Sequence, residues 1–146
     1  MKAYKAFNKD LTCLGFQYEI GKTYEMKEEP IACERGFHAC TEFDDLFHHY
    51  KYGKETRICE VELLGDIDTD STVDSKVATN KIKIIRELTS KELLQLGTVG
   101  AITHLASNGY RSIPKELIQN LTIDGRLEVA TYGSNQYRTM LLNDPN

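Results

Sequence analysis

Cys33, His38 and Cys40, followed by His48 and His49, gather thiol and imidazole groups into a short stretch of this 146-residue chain. Two chemistries use such groups. Structural zinc takes thiolates and neutral imidazoles, usually as closely spaced Cys pairs or His pairs from tight loops. The spacing here differs. A strand puts His38 and Cys40 on one face, while a helix turns the adjacent His48 and His49 in different directions. No metal is therefore expected on this set, and Cys33, Cys40 and Cys59 are expected to pack as small hydrophobes. A cysteine nucleophile needs a base within hydrogen-bond reach and a third group to orient that base. Cys40, His38, His48 and Asp44 supply the types, but no local cysteine-hydrolase signature surrounds any of the four cysteines. With no Gly-rich phosphate loop either, the residues imply neither a catalytic set nor a cofactor, and binding is expected rather than catalysis.

Carboxylates are the other conspicuous group. Asp44, Asp45, Asp66, Asp68, Asp70 and Asp74 predict an acidic interaction surface suited to a partner protein with a basic channel. The net charge of −4 and pI near 5.6 argue against direct binding to nucleic acid or to an anionic membrane. Eight tyrosines with no tryptophan suit a stacking pocket or a contact surface. No apolar run is long enough for a membrane span and the N-terminus has no secretory apolar core, so a cytoplasmic location and reduced thiols are expected.

The elements that must position these groups read as one α+β domain over 1–146, with a mixed or antiparallel core of short strands and a few short helices. Residues 1–90 are β-rich. MKAYKAF, LTCLGFQYEI, KTYEM and RICEVELLG read as strands, and KVATNKIKIIREL as one more. Thr41 offers an N-cap for a short helix, TEFDDLFHHY, in which Phe43 and Phe47 join Phe37 and Cys40 in the core. Residues 91–146 read as a helical segment and a C-terminal hairpin. Thr89-x-x-Glu92 is a capping box and Gly97 a stop. TVGAITHLASNGY continues as a helix. Asp124-Gly125 marks a hairpin between Leu121–Ile123 and Leu127–Val129, with one more strand over Tyr137–Leu142.

The motifs KAYKAFNKDLTC, GFQYEIGKTYE, GFHAC and DSKVATNKIKI resemble a family of small phage- and prophage-encoded domains over about residues 1–90. That resemblance implies an accessory protein in the host cytoplasm, which binds a host protein and inhibits a bacterial defence system. A second likeness concerns fold. AYKAF, GFHACTEFDDLFHHY and RICEVELLGD follow one another as in the core of ADP-ribosyltransferase-like domains. It implies a cleft lined by Tyr4, Lys5, His38, His48 and Tyr50, with Tyr50 as the stacking tyrosine. Lys5, Ala6 and Leu46 replace the histidine, glycine and serine that such a pocket uses on nicotinamide, and Asp70 and Asp74 are the nearest carboxylates to its catalytic glutamate. The alternatives implied are a transferase-like enzyme or a pocket that sequesters a small nucleotide signal.

Overall fold

The structure, a computed structural model, describes residues 1–69 and 74–142. The fold is α+β, and the chain divides into two compact units. One comprises Met1–Tyr50 and Glu55–Leu88; the other comprises Lys51–Lys54 and the chain from Thr89 onward.

The first unit is built from strands β1 (Lys2–Asn8), β2 (Thr12–Cys13), β3 (Phe16–Gln17), β4 (Thr23–Glu25), β5 (Phe37–Cys40), β6 (Thr56–Leu63), β7 (Ile67–Asp68), β8 (Lys76–Thr79) and β9 (Lys81–Glu87). Seven form one antiparallel sheet in the order β4-β9-β6-β1-β5-β8-β7, and β2 pairs with β3 alone. Alternation along β1 sends Ala3, Lys5 and Phe7 to the same face, where Ala3 and Phe7 meet Tyr18, Phe37, Ala39 and Val61 in the apolar core. β6 lies inside the sheet and is buried at six of its eight positions, TRICEVEL, as a strand covered on both faces should be.

KVATNKIKIIREL is two strands, not one. Asn80 divides them: its Oδ1 accepts from the Asp66 N–H at 2.8 Å and its carbonyl accepts from the Met26 N–H at 2.8 Å. Local bonding of this kind competes with a continuous ladder. β8 then pairs with β5, and β9 with β6 and β4.

The TEFDDLFHHY helix is a 3₁₀ turn over Phe43–His48, with Glu42 and not Thr41 at its N-cap and no side-chain cap. Three residues per turn align Phe43 with Leu46, and these two are buried while Phe47 is only half-buried. All four cysteines are free thiols, but Cys33 is exposed rather than packed. It sits at φ 68° in the tight turn closed by the Ile31–Arg35 bridge, which holds its side chain off the core.

The second unit holds helices α1 (Ser90–Leu96), α2 (Val99–Ser107), α3 (Lys115–Gln119), α4 (Ile123–Tyr132) and α5 (Asn135–Leu142). The Thr89–Glu92 capping box starts α1 and left-handed Gly97 ends it. α2 is buried from Gly100 through Ala106. The hairpin expected around Asp124-Gly125 is helix α4, and the strand expected over Tyr137–Leu142 lies within helix α5. Thr122 caps α4 by accepting from the Gly125 N–H at 3.1 Å, so the Asp-Gly pair occupies a first helical turn instead of a reverse turn. Gly125 is needed for its size: a Cβ there would lie 2.9 Å from Val99 Cγ2. Among the described residues, no helix is long and apolar enough to cross a membrane.

Candidate functional site

Lys5 is forced inward by its neighbours. Ala3 and Phe7 commit their face of β1 to the core, and period-two alternation carries the lysine with them, leaving it 3% exposed. A gap in the sheet receives its side chain. β1 pairs with β6 at all seven of its positions but with β5 only at Tyr4↔Cys40. Next to that single bridge, Lys5 Nζ donates to the His38 carbonyl at 2.6 Å and lies 3.8 Å from Cys13 Sγ. The faces of Tyr18 and Phe7 stand 5.3 and 5.7 Å from the same nitrogen. Among the described residues no carboxylate oxygen lies within ion-pair distance of it. Burial pulls its ammonium below the usual lysine range, with the neighbouring Cys13 opposing the shift.

Lys5 lines a cavity of about 670 Å³. Phe16, Tyr18, Tyr24 and Phe37 contribute aromatic wall, their rings meeting mostly edge to face at centroid separations of 4.7 to 6.5 Å. Cys13 and Tyr50 also line it, with Cys13 Sγ and Tyr50 Oη 2.9 Å apart. Burial raises the Tyr50 hydroxyl above its ordinary range. His38 Nε2 accepts from the Cys33 N–H at 2.9 Å, and burial, followed by the charges of Lys76 and Lys5, lowers its pKa to about 4. It is therefore a neutral imidazole at physiological pH.

Cys40, His49 and Lys76 complete a more polar part of the lining. Beside them stands Asp74, whose side chain is only 2% exposed. Its Oδ2 accepts from His48 Nδ1 at 3.0 Å and His49 Nε2 at 2.8 Å, while Oδ1 accepts from the Lys76 N–H at 2.8 Å. Burial would raise this carboxyl, but the bonds from His48, Lys76 and His49 together hold it below the usual range. Burial and the charges of Asp74 and Asp45 push the Cys40 thiol up to about 12. Ligand atoms of Cys40, His49 and Asp74 lie within 4.8 Å of one another, close enough to hold a metal ion.

Of the five cleft residues expected from sequence, Lys5, His38 and Tyr50 line the cavity. Tyr4 does not; strand alternation turns it away from Lys5, and its ring packs edge-on against Phe43 at 5.4 Å. His48 is outside the lining too, on Asp74. The sequence does not predict Cys13 and Phe16 on the lining, and it points to Tyr18 and Tyr24 only collectively, among the tyrosines suited to a stacking pocket or a contact surface. His49 and Asp74 come together across 25 positions and share no motif.

The acidic residues are largely engaged in holding loops. Asp45 accepts from the Ser75 N–H at 3.0 Å, Asp68 from the Ala32 N–H at 2.7 Å, and Asp74 as described. Asp66 is exposed beside Asn80, and Asp44 is half-buried. Asp70 lies outside the described residues.

No curated protein and no solved structure matches this chain. A family model does match, over residues 1–96, which takes in the whole sheet, the cavity and α1. The chain carrying this lysine-floored cavity thus belongs to DUF7666, a domain of unknown function.

Proposed function

We propose that the cavity binds a small, planar, anionic ligand of the nucleotide class, and that the protein works by binding it. The carrying observation is Lys5: a buried ammonium without a carboxylate partner among the described residues, in a cavity with five phenylalanine and tyrosine side chains in its lining. A buried cation is costly unless an anion compensates it, and an incoming phosphate or carboxylate would do so. Aromatic rings give a base its stacking surface without demanding one sequence of hydrogen bonds. The volume falls within the usual range for small-ligand sites, roughly 300 to 1,000 Å³. In the phage or prophage setting that the sequence motifs suggest, such a protein would withhold a nucleotide signal from a host defence system. Inhibition by docking acidic residues on a host protein has less support, because Asp45, Asp68 and Asp74 already accept backbone N–H groups.

A thermal-shift and calorimetric screen with NAD, ADP-ribose and cyclic nucleotides tests the reading. A ligand at 100 times its Kd should add about 2.7 kcal/mol to stability. Lys5→Met should abolish the effect, and Phe16→Ala, a change at a half-exposed ring, should weaken binding by about 1–3 kcal/mol. No response to any of these ligands, or equal responses in wild type and both variants, would overturn it. Release of nicotinamide from NAD by the wild-type protein would replace the binder with a transferase-like enzyme.

A further inference from the structure

We propose that Cys40, His49 and Asp74 form a site for zinc or a zinc-like transition-metal ion, with one coordination position left open toward the cavity. Their ligand atoms already lie within 4.8 Å of one another. A thiolate, an imidazole and a carboxylate suit zinc, whereas magnesium and calcium prefer oxygen donors throughout. The three residues come from separate places in the first unit: the end of β5, the residue after the 3₁₀ turn, and the approach to β8.

Two of the donors are held before any ion arrives. Cys40 is fixed in the sheet opposite both Tyr4 and Lys76. Asp74 is oriented by the Lys76 N–H on Oδ1 and by His48 on Oδ2, the outer contacts that commonly aim a carboxylate at a metal. His49, at the protein surface, is free to adjust. In the metal-free protein its Nε2 is bonded to Asp74 at 2.8 Å; on binding, the imidazole proton resides on Nδ1 and the Nε2 lone pair turns to the ion.

The charge balances. Cys40–SH and M²⁺ give Cys40–S–M⁺ and a proton released to solvent, and the Asp74 carboxylate neutralises the remaining positive charge. The ion must displace that thiol proton, so affinity should fall as pH falls. Three protein ligands leave the fourth position to water or to an oxygen of a bound molecule, and both Cys40 and His49 are on the cavity lining.

The full-length protein, reduced and stripped with chelator, is titrated with cobalt(II) alone. We expect a 1:1 endpoint, a near-ultraviolet thiolate-to-cobalt charge-transfer band, intense visible bands of a four-coordinate ion, and displacement of all of these by zinc. Cys40→Ser should remove the charge-transfer band. His49→Ala leaves the core untouched and should weaken cobalt binding by at least about tenfold; His48→Ala, acting through Asp74, should weaken it by about 10–100-fold while keeping the band. Cys13→Ser and Cys33→Ser should retain the full spectrum. Absence of the band in wild type, its persistence in Cys40→Ser, or unchanged affinity in His49→Ala would overturn the site. Since the probe is cobalt alone, this outcome is separate from that of the nucleotide screen.

Discussion

His38 and His104 show how burial sets the protonation of single residues. Each has its pKa lowered to about 4, chiefly by desolvation, and each accepts a backbone N–H: His38 Nε2 from Cys33, His104 Nδ1 from Gly53 at 3.3 Å. The unfolded chain takes up protons near 6.5, which these folded histidines refuse until about 4. The stability these two groups contribute is therefore complete above about pH 6.5 and falls as pH drops toward 4, by up to about 1.4 kcal/mol per pH unit for His104 and less for half-buried His38. Denaturant melts across this window should show the decline. His104→Asn keeps an acceptor for the Gly53 N–H and removes one titration, so its second unit should decline less steeply; an unchanged slope would show that His104 is not a buried neutral group. Lys5, His38 and Tyr50 share the cavity lining, but the likeness that groups them also includes Tyr4 and His48, which strand alternation and the bond to Asp74 keep off it. Asp74 is expected from sequence only as an acidic surface group or a carboxylate near the catalytic position; its pairing with two imidazoles is not legible, since they approach from more than twenty positions away.

At the level of elements, local chemistry that agrees with its surroundings could be read directly. α1 begins at its capping box and ends at its glycine, and α2 follows the apolar run TVGAITHLAS. Asp124-Gly125 misled because the same dipeptide serves two purposes. A hairpin uses glycine for its left-handed backbone, whereas α4 uses Gly125 to let Val99 approach, a tertiary demand invisible to local pattern. Gly125→Ala should accordingly destabilise the second unit, even though alanine is favoured over glycine in a helix interior by about 1 kcal/mol. Combining it with Val99→Ala should cost less than the sum of the two single changes. Additive losses in chemical denaturation would mean that the two side chains do not compete for the same space.

Across the whole molecule, overall class and the antiparallel sheet follow from many short alternating segments, but the pairing order does not. Lys51–Lys54 belongs with helices that begin at residue 90, tied there by the Gly53–His104 bond, and nothing in its composition says so. The sheet's order places β1 beside β5 with Tyr4↔Cys40 as their one backbone bridge, next to the side-chain bond from Lys5 to the His38 carbonyl. Mechanically, this makes seven strands into two half-sheets, β4-β9-β6-β1 and β5-β8-β7, with one stitch as a natural hinge. Opening that hinge breaks few backbone bonds, so amides of β1 and β5 that face it should exchange with deuterated water sooner than those between β6 and β9. A molecule held by Lys5 of β1 and packed on Phe37 of β5 would brace the two halves, selectively slowing exchange along the hinge. Uniform slowing over all strands would instead indicate rigid-sheet stabilisation. The seam beside Lys5 would then also be the part of the fold that senses a ligand's arrival.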